Sequence, residues 1–125
     1  MEDDALPCRR LMIEVELALD AGDADPGRRS RQDAEAARIG LTGAEIDAAR
    51  AGRSFDARAA AAIALALACR SGGVAAIEGA AIRAGHAGLG PAARRAIRDA
   101  AGRGAVPTAC AAPAETATPV RTARR

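Results

Sequence analysis

Tryptophan, tyrosine, lysine and asparagine are missing from this chain of 125 residues, and phenylalanine and histidine occur once each, as Phe55 and His86. Without large aromatic side chains, the core has to be built from a few Leu, Ile, Val and Met, at roughly 25 cal/mol per Å² of apolar area buried. Three cysteines, Cys8, Cys69 and Cys110, are widely spaced and form no C-x-x-C, and with a single histidine they exclude a zinc-ligand pattern or a disulfide framework. No catalytic, cofactor-binding or metal-ligating residue set is expected. No apolar run reaches the about 18 residues of a membrane span. The opening residues MEDDALPCRR are acidic where a secretion signal needs a basic start and an apolar segment, so the cytoplasm is the expected compartment. The formal net charge of +2 is too small to imply nucleic acid or a membrane surface. All 18 basic residues are Arg, a skew that a GC-rich coding sequence explains most simply.

Alanine is what the chain has in abundance, 37 residues of it. Alanine is the best helix former, and β-branched residues are few, so the expected class is all-α, a compact bundle of about five or six helices. Such a core is weak in a monomer. Helix pairing between copies would strengthen it, which makes a homo-oligomer the expected state. The length suits one domain, read here as residues 9–102, after a flexible N-terminus (1–8) and before a disordered Ala/Pro/Thr/Arg tail (103–125).

Along the chain, residues 9–21 mix a strand-like alternation (Ile13, Val15, Leu17, Leu19) with a helical repeat (Leu11, Val15, Leu19), and the all-α composition decides for helix. GDADPGRR (22–29) reads as a loop, with Ser30 capping a helix to about Ile39 that Gly40 ends. Thr42 and Glu45 form a capping box for a short helix over 43–51, stopped by Gly52. Asp56 caps a helix over 57–70, apolar almost all round and so expected to be buried, with Phe55 and Ala60 at the positions of a hydrophobic staple. After the turn at 71–73, a helix over 74–84 carries Val74, Ile77 and Ile82 and is stopped by Gly85. Pro91 opens a last helix that Gly102 ends.

Two readings of the central stretch compete. Ala36, Gly40 and Ile46, with Ile39 and Leu41 flanking the glycine, have the spacing of a helix-turn-helix. Its second helix, GAEIDAAR, however, offers Glu45 and Asp47 against Arg50, whereas phosphates and base edges call for positive charge and donors. Nucleic acid is therefore not the expected partner, and a small DNA-binding regulator is the alternative.

The other reading is a resemblance. ARIGLTGAEIDAARAGRSFDARAAAAIALALA followed by GGVAAIEGAAIRAGHAG resembles the carboxymuconolactone decarboxylase and alkylhydroperoxidase D-like superfamily over roughly residues 30–88. The residues that carry it are Ala36, Gly40, Leu41, Thr42, Glu45, Ile46, Ala48, Arg50, Gly52, Asp56, Arg58, Val74, Ala84 and Gly85. The resemblance implies about six helices, assembly into trimers or hexamers, and thiol-dependent hydroperoxide reduction by a C-x-x-C-x-x-x-H motif with a Glu on the preceding helix. There a thiolate attacks the peroxide, a second Cys resolves the sulfenic acid, and His with Glu manages the protons. Counting back from Gly40, the two Cys positions fall on Asp25 and Arg28 and the His position on Gln32. None of these can do that chemistry, so no catalytic residue carries over. Glu14 and Glu16 stand near the position of the family's Glu and are expected to be surface carboxylates. The Arg/Ala/Pro-heavy text around the matching span is also what out-of-frame reading of GC-rich DNA produces. A degenerate domain and a displaced frame both account for the missing motif.

The remaining reactive residues are expected to be ordinary ones. Cys69 should be a small buried hydrophobe and His86 a helix-terminal or surface imidazole, while Cys8 and Cys110 should be exposed thiols. Arg94, Arg95 and Arg98 form a solvated helix face that could also take an anion or an acidic partner. Arg121, Arg124 and Arg125 are too few for a nucleic-acid tail.

Overall fold

A computed structural model describes residues 6–23 and 25–105, which form six α-helices and no strand. The helices are α1 (Arg9–Leu19), α2 (Pro26–Ile39), α3 (Gly43–Arg50), α4 (Ala57–Ser71), α5 (Val74–His86) and α6 (Pro91–Ala105). The fold is all-α, as the composition requires. No helix among the described residues is long and apolar enough to cross a membrane. Residues 1–5 and 106–125, and with them Cys110 and the Arg121, Arg124 and Arg125 cluster, lie outside the described residues.

Helix α4 is the hub and packs against α1, α5 and α6. Its Ala59, Ala62, Ile63, Leu65 and Ala66 are buried, while Ala64 on the opposite side is exposed. The helix is therefore buried on one broad face and not all round, because alanine is apolar enough to line a core and small enough to stand in water at little cost. Helix α1 explains its own mixed periodicity. It touches α2, α3, α4 and α6, so Leu11, Ile13, Val15, Leu17 and Ala18 are all buried. A helix packed on several sides has no single apolar stripe to show in its sequence.

Three corners follow the sequence closely. Thr42 accepts from the Glu45 amide at 3.1 Å and the Glu45 carboxylate accepts from the Thr42 amide at 2.8 Å, completing the capping box. Asp56 accepts from the Ala59 amide at 2.8 Å and starts α4. Gly40 adopts φ 113 after α2, in the left-handed region that favours glycine.

Four expectations are corrected. Helix α2 begins at Pro26, not after Ser30, because Asp25 accepts from the Gly27 amide at 3.0 Å and Pro26 fits the first helical position. Helix α5 runs through Gly85 to His86, and the turn comes at Gly88 (φ 104), where Leu89 N–H reaches the Ala84 carbonyl and Gly88 N–H the Gly85 carbonyl, both at 3.0 Å. Helix α6 continues past Gly102 to Ala105, since a glycine weakens a helix without obliging it to stop. Phe55 forms no buried staple and is 74% exposed.

Core and surface isoleucines separate sharply in this arrangement. Ile63→Ala, at a fully buried position of α4, should lower the unfolding free energy by about 2–5 kcal/mol. Ile82→Ala, on the exposed side of α5, should change that of the dissociated single chain by no more than about 0.5 kcal/mol. Urea denaturation of both variants checks the contrast.

Candidate functional site

A hollow of about 290 Å³ lies between α1 and α2, lined by Arg9, Ile13, Glu16, Leu17, Arg28, Arg31, Gln32 and Glu35. Two of the three positions that would carry a thiol and an imidazole in the resembled motif, Arg28 and Gln32, therefore do meet in one place. Helical spacing brings them together, since residues four apart share a face. Both are committed to structure. Arg28 Nη2 and Gln32 Nε2 each donate to Asp20 Oδ2 at 2.8 Å, and Arg28 Nε lies 3.4 Å from Asp23. The third position, Asp25, serves as the cap of α2. Across the hollow, Arg9 and Arg38 both pair with Glu35 and hold its carboxyl below the ordinary range, with the Arg9 hydrogen bond the larger influence.

The hollow continues past Glu16 and Arg28 to a second recess bounded by Leu19, Asp20, Arg70, Ala100 and Arg103. Arg70 spans it, donating from Nε to the Ala101 carbonyl at 3.2 Å and from Nη1 to the Leu19 carbonyl at 3.3 Å, while Nη2 is buried without a partner. Glu16 faces both recesses. Partial burial raises its pKa and nearby Asp20 adds to the rise, against the opposing pull of Arg9, Arg103 and Arg28.

Glu14 turns the other way. It is 4% exposed, the one buried charged residue of the described core, which corrects its expected place on the surface. Ser54 Oγ donates to Glu14 Oε1 at 2.6 Å and accepts from the Asp56 amide at 3.1 Å. A buried carboxylate needs such a partner. This bond ties α1 to the segment leading into α4. The sequence held no sign of it, because its partners stand 40 positions apart. Glu16 did match its expected exposure.

The corner between α2 and α3 buries Ala36, Leu41 and Ile46, as a helix-turn-helix would. The outer face of α3 presents Gly43, Ala44 and Asp47, and Arg50 is held at 2.7 Å by Asp33. Cys8 is exposed, Cys69 is half-buried against the core on α4, and His86 is exposed at the end of α5. No cluster of three or more His, Cys, Asp or Glu among the described residues could hold a metal.

Removing the Ser54 hydroxyl leaves Glu14 short of a donor. Ser54→Ala should cost about 1–3 kcal/mol of unfolding free energy, measurable by urea titration. The pH dependence at Glu16 has the opposite sign to that of a salt-bridged acid. Its pKa is raised in the folded chain, so the folded state holds the proton to higher pH than the unfolded one. Its stability contribution is thus complete below the unfolded pKa and declines as pH rises through the folded one. Glu16→Gln should gain stability relative to the parent chain at pH 7 and not at pH 3.5, checked by unfolding at both values.

Comparison with known protein families, with curated proteins and with solved structures gave no match.

Proposed function

We propose that the chain is an alkylhydroperoxidase D-like helical domain whose redox site has been replaced, leaving a non-catalytic scaffold that assembles with copies of itself, as trimers or hexamers by resemblance. One observation carries the reading. The hollow between α1 and α2 has Arg28 and Gln32 tied to Asp20 where a thiol and an imidazole would be needed, and Asp25 spent as a helix cap. A guanidinium and an amide cannot attack a peroxide oxygen or relay its proton. The six-helix all-α architecture and the order of capping residues from Gly40 to Asp56 fit the same reading. Two free thiols, Cys8 and Cys69, suit a reducing cytoplasmic compartment.

Self-assembly has its support in the outer side of α5. Val74 is 73% exposed and Ile82 60% exposed, beside the partly buried Ile77. Large aliphatic side chains in water next to an alanine-rich helix are the kind of surface that a second copy covers. The alternative, a helix-turn-helix regulator, has the corner but presents no donor on the outer face of α3, where bases would be read.

A hydroperoxide-consumption assay with a dithiol reductant tests the central claim. The expected rate equals that of buffer alone, and turnover that disappears with Cys69→Ser would overturn the inactive-scaffold reading. Light scattering coupled to size exclusion should give a mass of several chains, falling to one chain when Val74→Glu and Ile82→Glu are combined. A monomeric parent chain would remove the assembly claim.

A further inference from the structure

Positive charge is concentrated at the start of α6. Arg9, Arg10, Arg28, Arg38 and Arg50 each have a carboxylate within ion-pairing distance. Arg94, Arg95 and Arg98 have none among the described residues, as is true of seven other arginines, but these three line one hollow of about 230 Å³ with Pro91 and no carboxylate. The first turn of α6 contains no acidic residue. Three like charges on adjoining turns of one helix repel one another, and the single acid of α6, Asp99, makes no ion pair with them and does not line the hollow.

One of the three is held in a seat. Arg94 Nη1 donates to the Leu89 carbonyl at 2.9 Å, and its guanidinium lies over Gly85, where a Cβ would come within 2.7 Å of Nη1. Gly85 lies inside α5, a position where alanine would serve the helix better. Its left-handed freedom is not used, because the turn is made at Gly88. What the missing side chain provides is space for a positive charge. A half-buried, oriented guanidinium beside two exposed ones, with no carboxylate between them, is a set of forked donors facing one opening.

We propose that Arg94, Arg95 and Arg98 bind a phosphate group in the hollow at the start of α6. Phosphate matches the set because guanidinium forks bond its oxygens in pairs and its charge offsets the three cations. The group is either free inorganic phosphate or the terminal group of a small phosphate monoester. This site is separate from the hollow between α1 and α2 and does not depend on the scaffold reading.

The test is a titration of the full chain, followed through the arginine Nε–Hε signals in NMR at constant ionic strength. One arm uses inorganic phosphate, the other glycerol phosphate, with chloride as the reference anion. Saturable shifts of Arg94, Arg95 and Arg98 are expected, and tighter binding in one arm identifies the source. Combining Arg94→Gln, Arg95→Gln and Arg98→Gln should weaken binding by at least about tenfold, the loss expected from charge-assisted bonds. Arg9→Gln with Arg38→Gln should leave it unchanged. Gly85→Ala keeps every charge and favours the helix but displaces Arg94, so it should weaken phosphate binding while thermal stability holds or rises. It decides the matter if the triple variant fails to fold. The proposal is overturned by shifts no larger than those with chloride, or by parental affinity in the folded triple variant or in Gly85→Ala.

Discussion

How closely the helices can approach is set by alanine at their contacts. Alanine brings no side-chain entropy to lose and little bulk, so the backbones of α1, α5 and α6 can lie close to α4 around Ala59, Ala62 and Ala66. The few large residues then fill what remains, with Leu17, Ile63, Leu65, Leu89 and Ile97 wholly buried. A bundle made this way gains little energy per contact. Its uniqueness depends on the ends of the helices, which explains the density of caps and left-handed glycines at the corners. Val74 and Ile82 nevertheless stand in water, as Leu6 and Phe55 do.

Against that plain core, the polar chemistry is concentrated around α1. Its two glutamates stand two positions apart, and so point in widely different directions around the helix. Glu14 is buried and bonded to Ser54, joining α1 to the start of α4, whereas Glu16 borders the recesses lined by Arg28, Arg70 and Arg103. Proximity in sequence therefore says little about shared chemistry here. Only Glu16 shares a space with Arg28 and Gln32. That space is organised by Asp20, which accepts from both, into a polar lattice with no nucleophile.

The parts of the structure legible in the sequence were those with local causes. Thr42 with Glu45, Asp56 with the Ala59 amide, and Gly40 are decided within one turn of chain, and each stands as expected. Where the expectation failed, a local rule was outvoted or misapplied. Asp25–Pro26 is a helix start that the surrounding Gly and Asp made resemble a loop. Gly85 and Gly102 looked like stops, yet helix-ending at glycine depends on what the following residues can bond, and Gly88 with Leu89 supplied the better pair of bonds. The candidate site was legible in part. The convergence of Arg28 and Gln32 follows from their spacing on one helix. The roles of Asp20, Ser54 and Arg70 come from contacts 8 to 51 positions apart, which no local pattern encodes.

Arginine is the only strong cation of the chain, and five of its described guanidiniums pair with carboxylates. Around α1 and α2 every guanidinium with a carboxylate in reach is used to fasten one helix to another or to a neighbouring turn, as Arg10 does to Glu45 and Arg50 to Asp33. Exposed pairs of that kind add little stability, but they cancel charge locally. At the α5–α6 corner the opposite holds, since Arg94, Arg95 and Arg98 share a hollow that carboxylates do not line. The one acid on α6, Asp99, follows Arg98 but is not among the residues that line this hollow. Gly85 under Arg94 brings two helices together: a Cβ there would come within 2.7 Å of Nη1 and push the guanidinium aside. With Nη1 bonded to the Leu89 carbonyl, Arg94 is the one guanidinium of the three that is half-buried, and Arg95 and Arg98 are exposed beside it.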